Sequence, residues 1–139
     1  MKIIICGSIS AAAEIVRVQR ALEQAGHQVE VPEGVKRTEL RRLEGSIEEK
    51  ADVKIQHDLI RGYYEKMKAY EVVLIVNPEL KGIAGYIGGN TLIEMSFALV
   101  LNKRLYCLYP LPEMSYSSEL AAMQPIILNG NLEGLHAEG

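Results

Sequence analysis

The stretch Gly85 to Met95, GYIGGNTLIEM, carries a single carboxylate, Glu94, behind small and turn-forming residues at Gly88, Gly89, Asn90 and Thr91. Glycines in such a place let a ligand approach the backbone closely, and a helix N-terminus favours a nearby carboxylate in its ionised, nucleophilic form. The same residues admit a plainer reading. Thr91-Leu92-Ile93-Glu94 matches the S/T-x-x-E capping box, in which the glutamate reaches back to the N-cap amide. A second group, Gly7-Ser8-Ile9-Ser10, follows an apolar run and offers N–H groups and hydroxyls at a helix start, a place for phosphate or carboxylate. It has neither the three glycines of a dinucleotide fingerprint nor the lysine of a P-loop. Gly7 making a turn, with Ser8 or Ser10 as a cap, is the structural alternative.

The elements that must position these groups follow from periodicity. Lys2 to Cys6 is apolar and rich in β-branched residues, as in a strand covered on both faces. From Ala11 to Ala25 apolar residues recur at helical spacing up to Gly26, a natural helix stop. His27 to Val31 alternates as a second, edge-like strand closed by Pro32. Ile47, Ala51, Ile55, Leu59, Tyr63 and Met67 make one helical stripe and predict a long helix to about Ala69. Val72 to Asn77 reads as a buried strand, Thr91 to Leu101 as a helix, and Arg104 to Tyr109 as a fourth strand. Ser117 to Met123 predicts a short helix and Pro125 to Leu128 a last strand.

This alternation specifies an α/β fold, a three-layer Rossmann-like or flavodoxin-like sandwich with a five-stranded parallel sheet in the order 2-1-3-4-5. In such sheets ligands bind beyond the carboxyl ends of the strands, at the switch point between the first and third. That rule selects the Gly7–Ser10 loop, Asn77 after the third strand, and the start of the helix that carries Glu94.

Composition bounds the rest. The 139 residues form a single domain, with residues 33–50 as a charged candidate lid and 129–139 as a tail that frays beyond Leu135. A net charge of −3 argues against a nucleic-acid polymer as partner. No run is long enough for a membrane span, the first apolar run is too short for a signal, and a cytoplasmic location is expected. Cys6 and Cys107 lie inside apolar runs and read as buried thiols of a reducing compartment. The three histidines are scattered, so neither a metal nor a cofactor is expected. Lys36, Arg37, Arg41 and Arg42 form a basic cluster, either a clamp for a substrate phosphate or a solvated surface.

CGSIS after the first strand, an aspartate-bearing helix before VVLIVN, and GGNTLIEMSFALVLNKRLYCL together resemble the nucleoside 2-deoxyribosyltransferase family, including its relatives that hydrolyse deoxynucleoside monophosphates. The resemblance spans roughly residues 2 to 128, and Asn90-Thr91-x-x-Glu94-x-x-x-Ala98 is its most specific part. It implies that Glu94 is the nucleophile of a covalent glycosyl-enzyme and that Gly7, Ser8 and Ile9 contact sugar or phosphate. Asn77, Gly88, Gly89, Asn90 and Thr91 complete the expected substrate-binding set. It also implies a small nucleoside or nucleotide ligand and a homo-oligomer, most simply a dimer, with Tyr106, Tyr109 and residues 110–116 as contact surface. Asp58 is the candidate for the second, proton-handling group; pairing with Lys54 or Arg61 on a solvated helix face is its alternative role. The chain departs from the family in two places: Ile4 stands where members carry a tyrosine that orients the nucleophile, and Asp58 lies 13 residues before Glu71 at the start of the third strand, a longer spacing than in better-known members. Tyr63, Tyr64 and Tyr86 are the candidate substitutes for the tyrosine. The alternative to an enzyme is a non-catalytic nucleotide-binding module on the same scaffold.

Overall fold

The computed structural model describes residues 1–37 and 52–135, the side chains of residues 52–58 excepted. Its sheet has five strands, all parallel, in the order β2-β1-β3-β4-β5. The strands are β1 (Lys2–Cys6), β2 (Gln28–Glu30), β3 (Val72–Ile75), β4 (Arg104–Cys107) and β5 (Ile126–Ile127). The helices are α1 (Ala12–Gln24), α2 (Asp52–Met67), α3 (Gly89–Val100) and α4 (Ser117–Ala122). Residues 33–37 are also helical. This is the Rossmann-like sandwich that the alternation of periods predicts.

The central strands are apolar throughout because both of their faces are covered. Ile3, Ile5, Val72 and Leu74 pack beneath α1 together with Leu128 and Leu135. Ile4, Cys6, Val73 and Ile75 point the other way, against Tyr63 and Met67 of α2 and Met95 and Ala98 of α3. The sheet therefore separates two cores, and the helices that carry Tyr63 and Glu94 lie on the α2/α3 side. The tail is part of the fold as far as Leu135, which is buried after a 3-10 turn at Leu132–Gly134. Residues 38–50 of the expected lid and 136–139 of the tail, with Arg41 and Arg42, lie outside the described residues.

Two chain features open the sheet where the site lies. Gly7 follows β1 so closely under β3 that a Cβ there would meet the Val76 carbonyl oxygen at 2.8 Å and Ile15 Cδ1 at 3.1 Å. Only glycine permits that approach. On the other side of β1, Gln28 N–H donates to the Met1 carbonyl at 3.0 Å, and Glu30 sits opposite Ile4. Carried on by two residues, the ladder would bring residue 32 to the Ile5 carbonyl, but residue 32 is proline and has no N–H to give. Strand β2 ends, β1 continues to Cys6, and a gap is left between them.

Candidate functional site

A cavity of about 300 Å³ occupies that gap. Gly7 and Ile9 come from the β1 loop, and Pro32, Glu33 and Gly34 from the segment after β2. Leu59, Ile60 and Tyr63 come from α2, and Asn90, Ile93 and Glu94 from α3. It lies at the carboxyl end of the sheet, where this topology places ligands. Ile9 is packed so close over Gly34 that a Cβ there would lie 2.6 Å from Ile9 Cδ1. Ile9, Ile60 and Ile93 remain 53%, 40% and 41% exposed. Three isoleucines left half open around one hollow suit a ligand with an apolar face.

Glu94 lies well inside α3. The N-cap is Gly88, no side chain caps the helix, and Thr91 holds the third helical position, where a capping box would carry its glutamate. The capping-box alternative is therefore excluded by the helix boundary, which lies further towards the N-terminus than the TLIE pattern alone suggests. Among the described residues the Glu94 carboxyl makes no hydrogen bond or ion pair. Burial in the apolar cavity, with no partner to offset it, pushes its carboxyl up from 4.5 to about 8. Its charge is felt by its neighbours. Burial raises the Cys6 thiol well above its ordinary value and Glu94 adds to the rise; burial likewise raises the Tyr63 hydroxyl, with Cys6 and then Glu94 contributing.

Tyr63 is buried, and its hydroxyl donates to the Ile5 carbonyl, the acceptor that Pro32 leaves without a ladder donor. Of the tyrosines considered as substitutes for the family residue, Tyr63 is the one in the cavity wall with Glu94. Tyr64 stacks edge-on against Phe97, with ring centroids 4.9 Å apart, and Tyr86 lies under the Lys81 ammonium, 5.3 Å from its ring centre.

Glu33, the other carboxylate of the lining, is paired. Lys66 Nζ donates to its Oε1 at 2.8 Å, Lys36 lies 3.3 Å from the same oxygen, and Glu30 also pairs with Lys36. Lys36 of the basic cluster is thus engaged by carboxylates. The hydrogen bond from Lys66, then that from Lys36, holds the Glu33 carboxyl below its ordinary range.

The remaining expected residues divide. Gly7, Ile9 and Asn90 line the cavity with Glu94, whereas Ser8, Asn77, Gly88, Gly89 and Thr91 are not among its lining residues. Ser8 Oγ accepts from Ser10 N–H at 3.2 Å, which is the local cap that the sequence allowed. Asn77 is fully buried: its amide nitrogen donates to the carbonyls of Tyr109 at 3.0 Å and Gly85 at 3.3 Å, and its oxygen accepts from Tyr109 N–H at 3.0 Å. That amide is a clasp between β3, β4 and the loop before α3. Asp58 belongs to α2, directly before the cavity-lining Leu59, and its side chain is outside the described residues. Tyr106 is buried against the α1 face and offers no contact surface; among the described residues the exposed large apolar side chains are Ile9 in the β1 loop, Ile60 on α2, Ile93, Leu99 and Val100 on α3, and Ile126 on β5.

Sequence reasoning placed Glu33 and Gly34 only at the start of the candidate lid and did not name Pro32, Ile60 or Ile93 as site residues. Ile60 and Ile93 carried a signal, since each is an isoleucine off the buried stripe of its helix. Among the described residues no group of histidine, cysteine, aspartate and glutamate could hold a metal, and no helix is long and apolar enough to cross a membrane. Compared with protein families, with curated proteins and with solved structures, the chain finds no significant match.

Proposed function

We propose that the protein cleaves or transfers across the N-glycosidic bond of a deoxynucleoside or its 5′-monophosphate, with Glu94 as nucleophile. The observation that carries this reading is a carboxylate without a partner among the described residues, in an apolar cavity at the carboxyl end of the sheet. Such a site suits the flat face of a base against the isoleucine rim and a sugar over the acid. A carboxylate oxygen of Glu94 attacks the anomeric carbon as the bond to the base breaks, giving a glycosyl ester and a base that takes up a proton. Water, or a second base in a transferase, then displaces Glu94. Asp58 is proposed to deliver and recover the proton. The reading extends to a homo-oligomer, with the apolar residues of α2 and α3 as the contact surface.

The test is a panel of ribo- and deoxynucleosides and their 5′-monophosphates, read by released base and by the mass of a covalent sugar adduct. Glu94→Gln should lower base release by roughly a thousandfold or more. Because Glu94 holds its proton up to about pH 8, kcat/KM should climb as pH rises through that value. A profile that falls there would make Glu94 an acid instead of a nucleophile.

The high proton affinity of Glu94 also favours a second reading, a nucleotide-binding module in which the neutral acid donates a hydrogen bond to a ligand. Ligand-dependent stabilisation with no base released from any member of the panel would select it.

A further inference from the structure

We propose that Tyr63 is the positioning residue for Glu94: its hydroxyl covers the Ile5 carbonyl that Pro32 leaves without a ladder donor, and so shields Glu94 from that carbonyl's negative end. The inference rests on the reading of Glu94 as the working carboxylate. It explains how the site does without a tyrosine on β1, where Ile4 points into the α2/α3 core instead.

Strand β1 extends past β2, so its last carbonyl on that side has no neighbouring strand to face and is met instead by Tyr63 of the cavity wall. A buried carbonyl without a donor draws in water or presents a bare dipole, and the side chain that covers this one, Tyr63, shares the cavity wall with Glu94 and interacts electrostatically with its carboxylate. Tyr63 sits in the wall common to both, and its single O–H is given to Ile5. The ring excludes water and the hydroxyl satisfies the carbonyl.

The titratable groups facing Glu94 among the described residues are Cys6 from β1, Tyr63 from α2 and Glu33 from the segment after β2. Cys6 holds its proton through burial, and Glu33 is neutralised by Lys66 and Lys36. Tyr63 is thus the described neighbour whose single hydroxyl decides what Glu94 meets.

The experiment follows the Glu94 carboxyl carbon by NMR through a pH titration. Tyr63→Phe removes the hydroxyl but leaves a hole too small for a water, so the bare Ile5 carbonyl should move the Glu94 titration upward. An upward move of one pH unit would lower kcat/KM at neutral pH roughly tenfold, with KM little changed. Pro32→Ala acts in the opposite sense. It returns a backbone donor to Ile5, frees the Tyr63 O–H to turn to the ionised carboxylate, and should move the titration downward. Tyr64→Phe, at a ring packed on Phe97, should leave it in place. A merely structural Tyr63 would change melting temperature without these opposed shifts. A Glu94 titration that stays put or falls in Tyr63→Phe, or stays put or rises in Pro32→Ala, overturns the proposal. If the shifts appear while the wild-type protein releases no base, the positioning role stands and the glycosidic reading fails.

Discussion

Glu33 and Glu94 face the same cavity from opposite walls, and they hold their protons in opposite ways. On the Glu33 wall the chain has just left an edge strand, and its carboxylates meet Lys36 and the last turn of α2 at Lys66. The charge is balanced locally and its carboxyl is held below the ordinary range. On the Glu94 wall the helix arises from the apolar middle of the sheet, its neighbours are Met95, Ala98 and the cavity itself, and its carboxyl is pushed up to about 8. Identical side chains thus differ because one wall supplies cations and the other supplies only burial. A desolvated acid with no partner among the described residues is a cost to the fold, and such costs concentrate at functional sites.

The sharpest way to break the comparison is Glu94→Gln, read by stability against pH. The Glu94 carboxyl titrates near 4.5 when unfolded and near 8 when folded, so the native state holds the extra proton between those values. Folding is favoured fully below the lower value, and the advantage is lost as pH rises towards the upper one. The variant lacks this term. It should match the wild type near pH 5 and exceed it near pH 9, by on the order of a few kcal/mol in denaturant melts. Equal stability at both pH values would mean that Glu94 has a partner and that the two walls are alike.

A smaller effect is expected at the other wall. Lys66→Met removes the first cause of the low Glu33 proton affinity and loosens the tie between α2 and the segment after β2. The side chains of Lys66 and Glu33 are 37% and 33% exposed, so solvent screens the pair and the loss should be about 0.5–1 kcal/mol, smaller again in high salt. The sign is opposite to that of Glu94. The contribution of Glu33 is present above its unfolded value and disappears as pH falls through the depressed one. A loss that persists in molar salt would show that packing of the Lys66 stem matters more than its charge.

The strand order and both covering layers were legible because period and burial agree over Lys2–Cys6, Ala12–Gln24 and Val72–Ile75. Glu94 was legible as a candidate from its setting behind Gly88 and Gly89. The sequence could not separate cap from catalyst, since that turns on a helix start placed two residues before Thr91. Asn77 showed the converse difficulty. A polar residue at the end of a central strand invites a ligand, yet its amide is used to join β3 to β4. Pro32, Gly34 and Tyr63 meet only through the gap beside β1, a tertiary relation that no local pattern carries.

A last effect, no larger than that at Lys66, compares the two walls through their glycines. Gly34 is tightly covered by Ile9, whereas a Cβ at Gly89, in the first turn of α3, would meet nothing within 4 Å. Gly89 has no unusual backbone conformation to protect, so alanine should restrict the unfolded chain and improve helix propensity. Gly89→Ala should therefore stabilise the protein by about 0.5–1 kcal/mol. If the open space beside Gly89 is where a ligand passes on its way to Asn90 and Glu94, the same change should weaken binding or raise KM several-fold while the melting temperature goes up. A gain in stability with unchanged KM would leave Gly89 outside the path of the ligand and confine recognition on this wall to Asn90, Ile93 and Glu94.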